Sequence, residues 1–198
     1  MLQQQIARCT ACDSMEPWRR FDSDASGTAA TGYLLVGEAP GYRSWANKRR
    51  FTGPAGQLIR RALARLAHPR YRDLEDLFFM TDVVKCHPRS SRNPLANRSP
   101  RRAEIKTCAS FLEAELRLLT PSVVVTFGKL AAGSVAQAVS SMAVGTGLVC
   151  RIVSFPHPSP RNQRTILRTY PSMDAFERAV TRTFRTLIAA IEKGRRDA

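Results

Sequence analysis

Apolar positions along the chain follow two alternating patterns. Short apolar runs predict strands, at Tyr33–Val36, Leu77–Val84, Ser122–Phe127 and Cys150–Phe155. Apolar residues recurring every three or four positions predict helices, at Pro54–Ala67, Ala103–Leu119, Lys129–Val139 and Met173–Glu192. Strands that alternate with helices are typical of a parallel sheet covered on both faces. With 198 residues and no internal repeat, we expect a single domain over residues 1–198.

Three loops of this α/β pattern follow predicted strands. In an open parallel sheet, the loops after the carboxyl ends of the strands build the functional site. This rule gathers Gly37–Gly53, Asp82–Cys86 and His157–Ser159 at one crevice. We therefore look for the chemistry of the chain in these three segments.

Single residues in these loops allow more than one interpretation. Glu38 suits a general base or a polar anchor, although a surface glutamate is more often merely solvated. Phe51 lies beside basic residues, as a side chain that stacks on a nucleic-acid base does, but it could equally pack under its loop. His157, between two prolines, suits hydrogen bonding to a developing anion, proton transfer or a structural role.

The charge of the chain is strongly positive. The 31 Lys and Arg residues against 16 Asp and Glu give a net charge of +15. Residues 39–72 contain nine basic side chains and no acidic one, and the Ser90–Arg102 loop is also basic. Local basic surfaces of this kind favour a polyanionic partner, most simply nucleic acid. A merely soluble basic protein is the alternative.

The five cysteines indicate a metal site rather than a disulfide framework. The N-terminal sequence lacks a secretory pattern and no apolar run is long enough to cross a membrane, so we expect a cytoplasmic protein. Cys9 and Cys12 form a C-x2-C turn that can direct two thiolates at one metal or cluster. Cys86 and Cys108 are candidates for the remaining ligands, whereas Cys150 fits a small core residue.

Four motifs resemble those of the family 4 uracil-DNA glycosylases of bacteria and archaea. They are GEAPG at 37–41, RFTGPAGQL at 50–58, TDVVKCHP at 81–88 and HPS at 157–159. The corresponding family pattern is close to GEAPG…RPFVG.AGQLL, TNVVKCRPP and HPS. The similarity runs from Cys9 to about Ser159, in the same order and with similar spacing.

This resemblance implies a fold, a cofactor and a reaction. The fold is a three-layer α/β/α sandwich around a central, mainly parallel four-stranded sheet. The cofactor is a structural [4Fe–4S] cluster on Cys9, Cys12, Cys86 and Cys108. The reaction is removal of a deaminated base, most simply uracil, from DNA by a monomeric enzyme that flips the base out and starts base-excision repair.

The resemblance also implies roles for individual residues. The catalytic group comprises Glu38, which positions or activates water, His157, which stabilises the leaving base, and Asp82. The residues expected to contact the base are Gly37, Ala39, Pro40, Gly41, Phe51, Asp82 and Ser159. By the same resemblance, Arg161 is expected to contact DNA. The basic charge of the chain, rather than the resemblance, leads us to expect DNA contacts also from Arg43, Lys48, Arg49 and Arg50.

The chain departs from the family at the residue that reads the base. The family has asparagine where this chain has Asp82. An amide both donates and accepts, whereas an ionised carboxylate only accepts. Asp82 is therefore expected to be protonated, to select a different base, or to turn aside and bind the backbone. The basic Tyr42–Arg49 loop replaces an acidic stretch, and its Trp45 could stack on a base or cover the pocket.

Three other functions remain open from the sequence. The chain could release a different modified base, could bind DNA without catalysis, or could be an iron–sulfur redox protein. The retained Glu38, Phe51 and His157 argue against the non-catalytic protein, and the basic surface argues against the redox protein. Residues 90–107 contain no histidine, so we expect no covalent trapping of DNA.

Overall fold

The computed structural model describes residues 1–15, 26–93, 95–146 and 149–197. Its sheet consists of four parallel strands in the order β2-β1-β3-β4. The strands are β1 (Tyr33–Gly37), β2 (Phe79–Asp82), β3 (Val123–Phe127) and β4 (Arg151–Phe155). The prediction of a parallel four-stranded sheet is therefore confirmed.

Helices connect the strands and follow the last one. The helices are α1 (Leu2–Arg8), α2 (Tyr42–Ala46), α3 (Pro54–Ala64), α4 (Leu74–Leu77), α5 (Arg102–Leu119), α6 (Lys129–Thr146), α7 (Gln163–Ile166) and α8 (Met173–Arg196). Among the residues that the structure describes, every helix is either too short or too polar to span a lipid bilayer.

Alternating side chains of β1 divide the core into two layers. Tyr33 and Leu35 point to the face covered by α3 and α8, whereas Leu34 and Val36 point to the face covered by α5 and α6. This alternation is the period-two pattern of a strand buried on both faces. The three-layer α/β/α arrangement predicted from the sequence is thus confirmed.

The main error in the predicted elements lies before β2. The sequence predicts one strand over Leu77–Val84, but Leu77 ends the short helix α4 and only Phe79–Asp82 form the strand. A capping box causes this, because the Asp73 carboxylate accepts from a backbone N–H of α4 while Asp76 accepts from the backbone of Asp73. Apolar run length alone does not separate such a buried helical turn from a strand.

Other boundaries shift by smaller amounts. The helix predicted to end at Ala67 ends at Ala64, and the helix predicted to end at Val139 continues to Thr146. The last helix continues past Glu192 to Arg196. A short helix, α2, lies inside the segment that we expected to be a loop.

Replacing Phe184 tests the layer between α8 and the sheet. This side chain is fully buried and packs against Phe78 with ring centroids 5.3 Å apart. We expect Phe184→Ala to lower the free energy of unfolding by about 3–5 kcal/mol, because burial is lost and a cavity remains. Denaturant unfolding measures this change. Leu118→Ala on α5, where the side chain is 71% exposed, is the control and is expected to change it by less than about 0.5 kcal/mol. Equal losses in the two variants would contradict the assigned core.

Candidate active site

The register of β1 against β2 brings two of the predicted site segments together. Gly37 lies opposite Asp82, and the ladder continues beyond the strands. The backbone N–H of Val83 donates to the Gly37 carbonyl, and that of Val84 donates to the Glu38 carbonyl, both at 3.0 Å. Glu38 and Asp82 therefore occupy the same carboxyl edge of the sheet.

Asp82 forms a buried ion pair with Arg50. Arg50 Nη1 donates to Asp82 Oδ2 at 2.5 Å, and the two side chains are only 3% and 7% exposed. Burial raises the pKa of the Asp82 carboxyl group, while the charges of Arg50 and Lys85 act in the opposite direction. The contact with a permanently charged guanidinium favours a carboxylate that accepts. The sequence analysis considered three states for Asp82, and an ion pair with Arg50 was not among them. The structure shows this ion pair.

This ion pair corrects one of the predicted DNA contacts. Arg50 was expected on the surface of the protein that contacts DNA. Its side chain is instead buried and forms an ion pair with Asp82. A buried guanidinium in this position cannot reach a phosphate on the outside of the protein. The expectation for Arg50 was therefore wrong, because the sequence carries no sign of a partner 32 residues away.

Phe51 is held in an unusual backbone conformation beside Asp82. Its φ of +56° is in the left-handed region, which non-glycine residues rarely adopt. A side-chain carbon on Gly56 would lie 2.0 Å from the Phe51 carbonyl oxygen, so α3 approaches this loop closely because residue 56 is glycine. At Gly37, an added carbon would meet both Asp82 Oδ1, at 2.3 Å, and the Phe51 ring, at 3.3 Å. Asp82 and the Phe51 ring thus lie against the same glycine.

Arg60 of α3 fixes the backbone of this loop. Its guanidinium donates to the carbonyl oxygens of Arg50, at 2.7 Å, and Phe51, at 3.1 Å. The same guanidinium pairs with Asp73 and Glu75. Burial disfavours the charged form of Glu75, but hydrogen bonds from Arg60 and Arg49 lower its pKa to about 2. Arg60 was not predicted from the sequence, because helical periodicity only places it off the apolar face of α3.

His157 follows β4 and packs against the end of β3. A side-chain carbon on Gly128 would lie 3.3 Å from His157 Cβ, and Gly128 itself has a φ of +103°. Asn162 Nδ2 donates to the His157 carbonyl oxygen at 2.9 Å, which fixes the turn that contains Ser159. Burial lowers the pKa of His157. The imidazole is therefore neutral at pH 7 and carries one N–H donor.

Glu38 and the loop after it form the other wall of the site. Burial and the neighbouring charge of Asp82 both raise the pKa of Glu38. The Pro40 carbonyl oxygen is 3.0 Å from Nδ1 of the fully buried His87, whose ring stacks on Trp45. Trp45 thus packs against the ring of His87, and this contact favours covering of the pocket over stacking on a base.

The segments that follow the strands also carry exposed cations. Arg43, Lys48, Arg49 and Arg161 are all exposed. Arg49, however, donates to Asp73 and Glu75, so part of its charge is compensated within the protein. Arg161 Nη1 donates to the Asn97 carbonyl at 3.4 Å, and Asn97 Oδ1 accepts from the Tyr42 N–H at 3.0 Å. Asn97 thereby joins the loop carrying Arg161 to the helix carrying Arg43.

The four predicted cluster ligands line one cavity. Its wall contains Cys9, Cys12, Cys86 and Cys108, together with Ile6, Met15, Lys85 and Phe111. Burial raises the pKa of the Cys108 thiol, and a backbone hydrogen bond from Lys85 acts in the opposite direction. In the described ranges, no three His, Cys, Asp or Glu side chains converge closely enough to hold a single metal ion. Cys150 does not line this cavity.

Comparisons with known proteins relate the chain to one superfamily. Residues 26–181 match the model of the uracil DNA glycosylase superfamily. Over 131 residues the chain is 34% identical to a type-4 uracil-DNA glycosylase of Pyrobaculum aerophilum, covering 66% of this chain and 61% of the relative. A type-4 uracil-DNA glycosylase of Thermotoga maritima is 30% identical over 131 residues, covering 66% and 62%. The chain thus spans somewhat less than two thirds of the length of these relatives.

A glycine-to-alanine pair tests the contact between α3 and the Phe51 loop. Helix propensity alone would make either substitution stabilising by about 1 kcal/mol. We expect Gly56→Ala to lower the melting temperature instead, because the new methyl group would clash with the Phe51 backbone. Gly133→Ala on α6, where an added carbon meets nothing within 4 Å, is the control and is expected to raise it or leave it unchanged. A stabilised Gly56→Ala variant would show that the loop does not pack on α3 as described.

Proposed function

Because the chain belongs to the uracil DNA glycosylase superfamily, we propose that it hydrolyses the N-glycosidic bond of uracil in DNA and so starts base-excision repair. The observation that carries this proposal is that Glu38, Phe51 and His157 all lie at the carboxyl edge of the sheet. A base inside a duplex is out of reach, so the enzyme flips it into this edge.

Each residue of the site has a part in the reaction. Phe51 stacks on the flipped base. Arg60 already holds the backbone of this loop in place, so the ring does not have to become ordered when the base binds. As the bond between C1′ and N1 breaks, the electron pair moves to the base and positive charge develops on the sugar. The neutral His157 donates a hydrogen bond to the negative charge that grows on a base carbonyl. Water adds to C1′, and the Glu38 carboxylate orients it and accepts its proton.

The basic surface offsets the cost of flipping the base. Unstacking costs a few kcal/mol, and phosphate contacts contribute binding free energy without reading sequence. Arg43, Lys48 and Arg161 are the contacts we propose, with Arg49 in a secondary role because of its acidic partners. One chain supplies every residue of this scheme, so we propose a monomer that acts where DNA is, in the cytosol.

We further propose that the four cavity cysteines hold a [4Fe–4S] cluster. Four thiolates with apolar neighbours are a suitable donor set, and a cluster accepts ligands that are spaced more widely than those of a single zinc ion. Lys85 lines the cavity while its ammonium group pairs with Glu115. Burial raises the pKa of the Cys108 thiol, but the positive charge of Lys85 acts to lower it, which favours a thiolate there. A cluster bound there would connect the end of α1, the segment after β2 and helix α5. Its role would be to stabilise the structure, and it would take no part in the hydrolysis.

Release of uracil tests the proposed reaction. In single-turnover assays on an oligonucleotide with one uracil, we expect release of free uracil and an alkali-sensitive abasic site. His157→Ala should lower the rate constant about 10²-fold, because one anion-stabilising donor is lost, with little change in DNA affinity. Since burial lowers the pKa of His157, protonation of this residue should begin to reduce wild-type activity only below about pH 6.5, the ordinary pKa of histidine. Unchanged release by His157→Ala would remove this residue from the mechanism.

Iron and sulfide analysis tests the cluster. The chain purified without oxygen is expected to be brown and to contain about four irons per molecule. Cys86→Ala should lose most of the iron and of the visible absorption, whereas the control Cys150→Ala should keep both, because Cys150 lies outside the cavity. A colourless wild-type protein, or equal losses in the two variants, would contradict the ligand set.

The salt dependence of DNA binding tests the proposed surface. Each phosphate contact adds about 0.9 to the slope of log affinity against log salt concentration. The double variant Arg43→Gln/Lys48→Gln is therefore expected to reduce this slope by about 1.8. The control Arg178→Gln removes an exposed cation that pairs with Asp174 on α8, and its slope should equal that of the wild type. An unaltered slope in the double variant would place Arg43 and Lys48 off the interface.

A further inference from the structure

We propose that Arg50 and Asp82 together read the pairing edge of the flipped base, with Asp82 accepting from a ring N–H and Arg50 donating to the adjacent ring carbonyl. This inference rests on the proposed function and assigns a specificity role to a residue, Arg50, that the sequence placed on the DNA surface. The pair would replace the single amide that reads the base in the related family.

The position of the pair supports this role. Asp82 ends β2 at the carboxyl edge, and its Oδ1 lies against Gly37 together with the edge of the Phe51 ring. A base stacked on Phe51 would therefore present its edge to Asp82. The other carboxylate oxygen, Oδ2, accepts from Arg50, so donor and acceptor lie side by side.

The backbone holds Arg50 at this position. Arg50 immediately precedes Phe51, and Arg60 binds the carbonyl oxygens of both residues. The stacking ring and the guanidinium thus belong to one anchored segment. Arg50 N–H groups form a rigid planar fork, which positions a donor more precisely than a flexible ammonium does.

The chemistry of the pair selects a lactam edge, meaning a ring carbonyl next to a ring N–H. Uracil presents O4 and N3–H, and hypoxanthine presents O6 and N1–H, so both match a donor beside an acceptor. Cytosine presents an amine and a bare ring nitrogen at the same places. Arg50 would then face a donor and Asp82 would face an acceptor, and unpaired buried polar groups are costly.

The ion pair also solves the problem posed by Asp82 alone. An ionised carboxylate without a partner would repel O4 of uracil. A protonated carboxyl group could donate to O4, but it would first have to take up a proton. The Arg50 guanidinium favours the ionised form of Asp82 and supplies the donor that a carboxylate lacks. Two opposite charges buried together cost far less than either one alone.

A double-mutant experiment separates base reading from a purely structural ion pair. The variants are Arg50→Gln, Asp82→Asn, their double combination, and Arg50→Lys, which keeps the charge but not the fork. Arg178→Gln is the control for losing a cation from a surface ion pair. The double variant contains no buried charge at this position, and the amide introduced at position 82 can donate and accept by itself. Melting temperatures identify any variant that fails to fold.

Two readouts are taken on duplexes in which the target base faces an abasic spacer, so that no base pair must be broken. The first is the single-turnover rate constant for uracil release. The second is the ratio of affinities for 2′-fluoro-deoxyuridine and 2′-fluoro-deoxycytidine, whose fluorine slows cleavage of the glycosidic bond. A purely structural role would lower stability and activity but would leave this ratio unchanged.

We expect Arg50→Gln and Asp82→Asn each to lower uracil release and the affinity ratio by about 10–100-fold, because one buried group is left unpaired. The double variant should regain most of both, and Arg50→Lys should lie in between. Two outcomes would contradict base reading by the pair while the wild type still releases uracil. In the first, the single variants keep the wild-type affinity ratio. In the second, the double variant has no higher rate constant or affinity ratio than the worse single variant. In both cases the proposed function stands.

If the wild type releases no uracil, the proposed function fails. In that case the affinity ratio alone tests base reading. A preference for 2′-fluoro-deoxyuridine that Arg50→Gln abolishes supports the pair, and equal wild-type affinities for the two fluorinated nucleotides contradict it.

Discussion

The pairing of Gly37 with Asp82 across β1 and β2 is the constraint on which the candidate site depends. Parallel pairing brings the ends of both strands to one edge, so Glu38 and Asp82 become neighbours although 44 positions separate them. Glycine at position 37 leaves room for the carboxylate and for the Phe51 ring. A slip of one residue would turn Asp82 to the opposite face of the sheet. Both cores, which are filled from alternate residues of the strands, hold the register in place.

Charge is used in two different ways on this chain. On the surface, cations such as Arg43 and Arg161 are solvated and suit contact with phosphate. Inside, Arg50 and Lys85 are buried against Asp82 and Glu115, and Lys85 Nζ also donates to the Asp82 carbonyl at 2.7 Å. Buried pairs contribute little net stability but impose a single arrangement on their partners. The interior charges therefore define the geometry of the β2 end, whereas the exterior charges attract the proposed ligand.

Periodicity predicted most of the fold because it reports burial. It identified all four strands and the long helices α3, α5, α6 and α8, since each has a stripe or a run of apolar residues. It could not separate α4 from β2, where the Asp73 cap decides. Motifs predicted which loops form the site, and the structure brings Glu38, Phe51 and Asp82 together. The roles of Arg50 and Arg60 could not be predicted, because arginine is usually exposed and their partners are distant in sequence.

The central claim is that the carboxyl edge forms a pocket in which Phe51 stacks on the base and the Arg50–Asp82 pair reads its edge. The most direct test is a crystal structure of the protein bound to a duplex containing 2′-fluoro-deoxyuridine. The account predicts that the flipped uracil lies on the Phe51 ring, with N3–H within hydrogen-bond distance of Asp82, O4 facing Arg50 and His157 at a base carbonyl. A uracil bound elsewhere, or Asp82 and Arg50 without contact to the base, would contradict it.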